Sequence, residues 1–415
     1  WFTHTFRLGF LTVFVFIVEI ITGLVLMIHY SPTPDSAYVS ILRLRSNVPF
    51  GDLTRDVHRL AGEAMIIAAA LHMLRVFWTG SYRGKRAITW TTGVVLLIIT
   101  LGLGFSGYVL PWDHLAFWAV SIGASMAESV PLMGHLLTLL LRGAREIGAD
   151  GLLRFYLLHV VLLPLAGIGV LGAHYYRVSR IHGISLPPTV EEGNLDEAAL
   201  REARRRINFL PDLFTQEVVL IGLSTLLLVA ASVYFYNAPL ESHANPSQTP
   251  LYTQAPWFFL WVQGLLKLGN TTLMGVIVPT LAFLLLFVIP FVDRNPSRQL
   301  RRRPVALIVS LLAIVALVVL SYMGTHRYGI EIPAATRIIQ NVAPEEGTGP
   351  LHRVPQEQLT IGIYSVNETD AETMQPALAK VFLDFEQQIN GAEANGDLPD
   401  AHGFMIVEDW QVNLK

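Results

Sequence analysis

The sequence predicts an all-α integral membrane protein, and three observations carry that prediction. Of the 415 residues, 52% are hydrophobic and only 15% are charged, whereas soluble domains carry about 25% charged residues. The apolar residues are gathered in long runs, and a bilayer core of about 30 Å requires about 20 such residues per helix. Turn-rich segments such as 31–34 and 246–250 separate the runs. Polarity, run length and spacing therefore agree on membrane-spanning helices.

Seven runs reach the length of a transmembrane helix. They comprise residues 8–29, 58–78, 89–110, 153–176, 217–236, 270–291 and 304–323. An odd number of spans places the two ends of the membrane domain on opposite sides of the bilayer.

Basic residues predict the orientation of these spans. Arg and Lys are concentrated in three alternate loops, namely 79–88, 177–216 and 292–303. Alternate loops lie on one side of a membrane, and the positive-inside rule makes that side cytoplasmic. The intervening loops, 30–57, 111–152 and 237–269, are poorer in basic residues. The N-terminus is therefore predicted to be cytoplasmic.

The C-terminal residues have a different composition. Residues 1–330 carry 25 Lys and Arg against 18 Asp and Glu, a net charge of +7, whereas residues 331–415 carry 4 against 14, a net charge of −10. This contrast predicts an acidic extension over residues 326–415 that is a small solvated domain or an arm packing on a neighbour. Seven spans with a cytoplasmic N-terminus place it outside the cytoplasm. A docking surface for a basic partner protein is the alternative.

Four histidines in the second and fourth spans give the strongest chemical signal. His58 and His72 are 14 residues apart, and His159 and His174 are 15 apart. At about 100° per residue, the two members of each pair return to one helix face, roughly 21–22 Å apart along the axis. Both spans enter from the same side, so His58 matches His159 in depth and His72 matches His174. Polar groups at this depth are usually functional, although any single buried histidine is also consistent with a hydrogen-bonded core residue.

Two matched pairs of histidines favour the ligands of planar macrocycles over a zinc site. Zinc requires clustered ligands, and a separation near 20 Å within one helix excludes such a cluster. Glycines repeat at a 14-residue spacing in the first and third spans, at Gly9, Gly23, Gly93 and Gly107. Because glycine allows close approach to the backbone, these pairs favour contact with a macrocycle edge, with helix–helix packing as the alternative.

The chain contains no cysteine. Structural disulfides, thiolate-ligated iron–sulfur clusters, thiolate zinc sites and a covalently attached c-type haem are therefore excluded from this chain. Any such centre must lie on a partner.

Five short segments make a family resemblance specific. They are Arg55-Asp-Val-His-Arg59, Leu71-His-Met-Leu-Arg-Val-Phe77, Thr89-Trp-Thr-Thr-Gly-Val-Val95, Gly107-Tyr-Val-Leu-Pro-Trp-Asp113 and Arg154-Phe-Tyr-Leu-Leu-His159. Together they resemble the second to fourth helices and the outer quinol-site segment of the cytochrome b/b6 family. The seven spans and the 15-residue histidine spacing are similar to cytochrome b6 fused to subunit IV.

The resemblance implies a division of the chain into four regions. Residues 1–185 would form a haem-binding four-helix bundle, and residues 186–216 a cytoplasmic linker. Residues 217–325 would form three further transmembrane helices with an outer quinol-site loop, followed by the extracytoplasmic extension at 326–415.

The resemblance also implies two non-covalent b-type haems, each held between two histidines. His58 with His159 would hold the outer haem, and His72 with His174 the inner one. Arg55 and Arg154 lie where their guanidinium groups would pair with haem propionates; interfacial snorkelling is the alternative for Arg154. Arg177, Arg180 and His182 are the candidates for an inner quinone site.

The implied activity is bifurcated quinol oxidation with proton translocation, as in the cytochrome b subunit of a bc-type complex. The expected partners are a Rieske-type iron–sulfur subunit, a c-type cytochrome subunit, membrane lipid and the quinone pool, in a dimeric complex in an energy-transducing membrane and without nucleic acid. Two alternatives remain open. One is a di-haem membrane anchor with a single quinone site, and the other is a haem-free transporter or scaffold.

The outer quinol site departs from the family pattern. The family's Pro-Glu-Trp-Tyr motif corresponds to Ala255-Pro256-Trp257-Phe258, so that Pro256 replaces the glutamate expected to accept a quinol proton. We favour Asp113 as the replacement, with the N-cap of the following helix as its alternative role. Further candidates on the same side are Glu241, His114 and His243. Tyr108 would orient the quinol rather than accept its proton.

Overall fold

The part of the chain that the structure describes is almost wholly helical. The computed structural model describes residues 7–144, 147–182, 214–246, 253–325 and 328. In chain order the helices are α1 (Leu8–His29), α2 (Pro34–Asn47), α3 (Gly51–Trp78), α4 (Ala87–Val109), α5 (His114–Glu128), α6 (Gly134–Arg142), α7 (Ala149–Ile181), α8 (Phe214–Tyr234), α9 (Leu260–Leu266), α10 (Thr272–Val292) and α11 (Pro304–Gly324). The predicted extension, apart from Tyr328, and most of the predicted linker lie outside the described residues.

Seven of these helices are long and apolar enough to cross a membrane, which confirms the predicted number. They are α1, α3, α4, α7, α8, α10 and α11. Two predicted boundaries were wrong: α3 begins at Gly51 rather than 58, and α7 extends over Ala149–Ile181 rather than 153–176. The early turns of α3 contain Asp52, Arg55 and Asp56. Such polar turns lower the local hydropathy but remain helical, because a helix satisfies its own backbone groups beyond the apolar core.

The first four spans pack as two pairs. Helix α1 lies along α3, and α4 lies along α7. The later spans surround them, with α8 against α3, α10 against α4, and the short α9 against α11. Tight packing is local, as at Val15, Ala61 and Met65, which are buried between α1 and α3. Leu and Val side chains along α11 are exposed, as expected for a surface that faces lipid.

Polar contacts join the three basic loops at one end of the bundle, which we call the basic end. Arg83 donates to the Pro296 carbonyl (2.7 Å), and Arg177 donates to the Lys85 carbonyl (3.2 Å). These contacts confirm that the three loops share one side.

A buried ion pair reinforces the basic end. Arg303, which is 1% exposed, pairs with Asp293 (2.6 Å), and Tyr82 donates to the same carboxylate. Burial alone would raise the pKa of Asp293, but the hydrogen bonds from Tyr82 and Arg303 outweigh it and hold that pKa below its ordinary value. Tyr82 of the α3–α4 loop therefore connects that loop to the ion pair in the α10–α11 loop.

The other three loops meet at the opposite end. Tyr30 donates to the Leu110 carbonyl (2.6 Å), and the Glu241 N–H donates to Asp113 (3.1 Å). Asp56 accepts from the Ala238 N–H (2.8 Å), while Arg55 donates to the Ala238 carbonyl (2.6 Å). The peptide after α8 is thus held between two consecutive side chains of α3. The alternation of loops predicted from the basic residues is present at both ends.

Candidate functional site

Two of the four histidines face each other across the bundle, at the end opposite the basic end. His58 on α3 and His159 on α7 have ring centroids 6.2 Å apart, with the ring planes nearly perpendicular at 85°. Metal ions bind imidazole nitrogens at about 2 Å, so the gap between the rings suits one metal atom with a ligand on each side. The structure therefore brings together the first pair that the sequence matched in depth.

The second pair lies toward the basic end of the same two helices. His72 on α3 and His174 on α7 are close enough to interact electrostatically. Among the described residues, no group of three or more His, Asp or Glu side chains gathers as a metal cluster. The described residues therefore present two separate histidine pairs on α3 and α7 rather than one compact cluster.

Each predicted glycine lies directly against one of these imidazoles. A Cβ atom would stand 3.2 Å from the ring of His72 at Gly9, 3.2 Å from His58 at Gly23, 3.5 Å from His174 at Gly93, and 2.6 Å from His159 at Gly107. Gly9, Gly23 and Gly107 therefore make room for the histidine rings themselves, whereas Gly93 lies at an ordinary contact distance. The 14-residue glycine spacing had predicted contact with a macrocycle edge and gave no sign of the imidazole contact.

Hydroxyl side chains lie within hydrogen-bonding distance of the Nδ1 atoms of three histidines. Thr22, Thr92 and Ser106 lie 2.9, 2.9 and 3.1 Å from Nδ1 of His58, His174 and His159 respectively. Each hydroxyl also donates its own hydrogen to a carbonyl in the preceding helical turn. A hydroxyl has one hydrogen, so it must accept from Nδ1–H. That tautomer leaves Nε2 unprotonated, which is the form that coordinates a metal.

Sequence reasoning missed these hydroxyls, although a signal was present. In each case the hydroxyl residue immediately precedes the glycine, as Thr22-Gly23, Thr92-Gly93 and Ser106-Gly107. The remaining glycine, Gly9, follows Leu8 instead of a hydroxyl residue. The histidine beside Gly9 is His72, and its Nδ1 is buried without a hydrogen-bond partner. The hydroxyl–glycine dipeptide at the 14-residue spacing is therefore the pattern to look for.

A π-helical turn explains the unequal histidine spacing. Residues Leu158–Leu162 within α7 form a π turn that contains His159. Fourteen α-helical residues fall about 40° short of four turns, and fifteen exceed them by about 60°. One π turn absorbs one extra residue, so the fifteen-residue spacing on α7 presents its histidines like the fourteen-residue spacing on α3.

A cavity of about 250 Å³ opens around His58 and His159. Its wall also contains two carboxylates, Glu19 and Glu63, two guanidinium groups, Arg55 and Arg59, and the aromatic side chains of Tyr108 and Phe258. The carboxylate of Glu19 lies 3.2 Å from Nδ1 of His58. The sequence analysis had not considered either glutamate, because both fall within apolar spans.

Glu63 is the centre of a small polar network in this wall. Its Oε1 accepts from Arg59 (3.2 Å) and from the Tyr236 hydroxyl (3.1 Å). Arg59 also lies over the ring of Tyr108, 5.3 Å from its centroid. Burial, with the Glu63 charge as a second cause, raises the pKa of Tyr236. Tyr236 therefore keeps its proton and remains a donor to Glu63.

The predicted arginines have separate roles in the fold. Arg55 lines the cavity and donates to the loop after α8. Arg154 instead caps α6, donating to the carbonyls of Leu139 and Leu140. Arg177 donates to Thr89 at the basic end, and Arg180 is exposed there. The side chain of His182 lies outside the described residues.

The predicted outer-site residues lie close together at the opposite end. Phe258 is buried against Gly104, where a Cβ would stand 3.1 Å from its ring, and Trp257 is 44% exposed beside it. Pro256 precedes this short helical turn. Residues 112–114 pair with residues 242–244 as a single antiparallel bridge, which places the candidates Asp113, His114, Glu241 and His243 in one region.

Asp113 is fully engaged in holding the backbone. One carboxylate oxygen caps α5 by accepting from the Ala116 N–H (2.9 Å), and the other accepts from the Glu241 N–H (3.1 Å). Its side chain is buried. These contacts fit the N-cap role that the sequence analysis gave as the alternative.

Comparisons with known proteins agree with this geometry. A family described as "Cytochrome b/b6/petB" matches residues 2–181, and one described as "Cytochrome b(C-terminal)/b6/petD" matches residues 243–341. The chain is 34% identical over 329 residues to a cytochrome bc complex cytochrome b subunit of Chlorobaculum thiosulfatiphilum, covering 78% of this chain and 74% of that one. It is 41% identical over 180 residues to a menaquinol:cytochrome c reductase cytochrome b subunit of Geobacillus thermodenitrificans, covering 43% and 80%. A structure titled "Hyperthermophilic respiratory Complex III" shares the fold, with a TM-score of 0.68, 24% identity, and coverage of 76% of this chain and 82% of that one.

Proposed function

The chain belongs to the cytochrome b/b6 family, and from that premise we propose how this cytochrome b subunit of a bc-type quinol-oxidising complex works. When bound, two b haems supply one-electron carriers through which electrons from quinol cross the membrane. The observation that carries the proposal is the facing arrangement of His58 with His159, together with the proximity of His72 to His174 on the same two helices.

The residues present fit two such groups. A side chain at Gly9, Gly23 or Gly107 would compete for the space beside an imidazole, whereas a Cβ at Gly93 would be at an ordinary contact distance. The hydroxyls of Thr22, Thr92 and Ser106 hold three of the rings in the coordinating tautomer. Ligands 14 residues apart on α3 place the two sites about 21 Å apart along the membrane normal, which spans much of the low-dielectric layer.

The outer quinol site is proposed to lie at the opposite end, where Tyr108 and Phe258 share the cavity wall. Oxidation of a quinol releases two electrons and two protons, and a general base must be within hydrogen-bond reach of the hydroxyl. Pro256 has no titratable group, and both oxygens of Asp113 are engaged by the backbone. We therefore move the proposed proton acceptor from Asp113 to Glu63. This carboxylate lines the same cavity, and its two hydrogen bonds converge on Oε1.

The basic end is proposed to be cytoplasmic, since Lys and Arg remain on that side during insertion. A quinone site there would use Arg177, which is fixed against Thr89, together with Arg180. The complex would add a Rieske-type iron–sulfur subunit and a c-type cytochrome, as the similarity to cytochrome b subunits of bc and menaquinol:cytochrome c reductase complexes suggests. This chain itself has no cysteine to bind such centres.

Redox titration of the purified complex tests the proposal. Two b-type transitions of equal amplitude per chain are expected, together with a co-purifying iron–sulfur subunit. One transition per chain would contradict the two-haem assignment. Two transitions without an iron–sulfur partner would favour an anchor with a single quinone site.

The orientation has its own test. Protease added to right-side-out vesicles should remove an epitope placed after Lys415, in a complex from which partner subunits have been stripped. Cleavage in inverted vesicles alone would reverse the proposed orientation.

A further inference from the structure

Glu19 is a carboxylate placed in the middle of an apolar transmembrane helix. Helix α1 is apolar around it, with Phe16, Ile17 and Val18 preceding it and Ile20 following. An ionisable group in such a segment is costly and usually serves a function. Its side chain is only 14% exposed.

The contacts of Glu19 direct it to one histidine. Its Oε2 lies 3.2 Å from Nδ1 of His58, which is the nitrogen that Thr22 also approaches, at 2.9 Å. Its Oε1 is buried without a hydrogen-bond partner. Gly62, one helical turn beyond His58, lies next to the carboxylate, where a Cβ would stand at an ordinary contact distance of 3.8 Å. Glu19 is therefore directed at the imidazole.

The environment of His58 differs from that of two other histidines. His159 faces His58 across the gap, and its Nδ1 lies beside the Ser106 hydroxyl. Nδ1 of His72 has no hydrogen-bond partner. At His58 the Glu19 carboxylate lies beside the nitrogen in addition to the Thr22 hydroxyl, and a carboxylate can add a full negative charge that a hydroxyl cannot.

We propose that Glu19 is a positioning residue that acts through His58 and lowers the reduction potential of the outer haem. The proposal rests on the proposed function, because it requires His58 to be a haem ligand. A carboxylate beside the Nδ1–H of a coordinated imidazole increases the basicity of that imidazole. Greater basicity and a nearby negative charge both favour the oxidised, more positive iron, and the effect is large where the dielectric is low.

The direct test is Glu19→Gln in the intact complex, with both haem potentials measured by optical redox titration. Gln preserves size and hydrogen bonding but removes the charge. We expect the outer haem to become easier to reduce by a factor of about ten or more, which is about 59 mV for one electron. The inner haem, about 21 Å away, should keep its potential.

Two further variants make the result specific. Glu63→Gln removes a carboxylate from the same cavity wall but not from the ligand, so its shift should be smaller than that of Glu19→Gln. Glu19→Asp keeps the charge at a greater distance and should give an intermediate potential. If Glu19→Gln loses the outer haem, an upward shift of the outer-haem reduction potential in Glu19→Asp supports the proposal.

Three results would overturn it. They are an unchanged outer potential in Glu19→Gln, equal shifts in Glu19→Gln and Glu63→Gln, or no shift in Glu19→Asp when Glu19→Gln cannot be titrated. The wild-type titration separates these results from failure of the proposed function. If the wild-type chain lacks two b-type transitions, the proposed function fails before the variants are compared.

Discussion

The two histidine pockets share one backbone plan but differ in the polarity of their surroundings. Both draw one histidine from α3 and one from α7, and both are flanked by glycines of α1 and α4. The pocket at the opposite end adds Glu19, Glu63 and two arginines. At the basic end, His72 has a buried nitrogen without a partner, next to a glycine that follows Leu8.

This difference teaches that geometry and chemistry are encoded separately. Helix periodicity, two glycine pairs and one π turn place four imidazoles in two similar pairs. The side chains beside each imidazole then determine its basicity and the local charge. Two histidine pockets with the same backbone geometry can therefore differ in their chemistry along one electron-transfer path.

The histidines themselves should give the largest effect. His58→Leu should lose the outer haem and retain the inner one, and His72→Leu should do the reverse, because each removes one of the two histidines that would hold that haem. Quantitative haem extraction and potentiometric titration of both variants measure this. Variants that each retain two haems would disprove the pairing.

Loss of the proposed proton acceptor should affect rate without affecting haem content. Glu63→Gln should slow quinol oxidation by the ~10²–10⁴-fold typical of a missing general base. Asp113→Asn is the comparison variant: Asn is also a good N-cap but has one acceptor oxygen for the two N–H groups that Asp113 binds, so turnover should fall far less than in Glu63→Gln. Steady-state turnover with both haem spectra intact is the measurement. A large loss in Asp113→Asn with normal turnover in Glu63→Gln would restore Asp113 as the acceptor.

A single methyl group should distinguish the two pockets by steric fit. Gly107→Ala places a Cβ 2.6 Å from the ring of His159, whereas Gly93→Ala places one at an ordinary 3.5 Å from His174. We expect several-fold lower outer-haem occupancy in Gly107→Ala and normal inner-haem occupancy in Gly93→Ala. Haem-to-protein ratios after purification would show this, and equal occupancy in both variants would contradict it.

The smallest predicted effect concerns the nitrogen of His72 that lacks a partner. Leu8→Thr recreates at Gly9 the hydroxyl–glycine pair found at Thr22-Gly23. The new acceptor should lower the inner haem potential, by less than the Glu19 carboxylate lowers that of the outer haem, because a hydroxyl carries no charge. Leu8→Val has nearly the shape of Thr without the hydroxyl. Equal potentials in the Thr and Val variants would exclude the hydrogen bond as the cause.

The sequence predicted the features that repeat and missed the features that join distant segments. Hydropathy identified seven spans, and periodicity placed the histidines in pairs, because both depend on residues close along one helix. The Glu19–His58 contact joins residues 39 positions apart on two helices, and no local pattern encodes that distance. Likewise, Asp113 looked available as a base, because the Glu241 N–H that occupies it comes from a loop more than 100 residues later.

The polar contacts at the two ends have a consequence for how the chain can be made. Arg55, Asp56 and Asp113 bind the segment after α8 at one end. Tyr82 binds Asp293 and Trp78 binds Ser310 toward the other. The first four spans and the last three are thus joined by noncovalent contacts at both membrane faces, independently of the residues that connect α7 to α8. A cut between residues 186 and 213 should leave two polypeptides that associate in the bilayer. The same membrane domain would then form whether one gene encodes all seven spans or two genes encode the two parts.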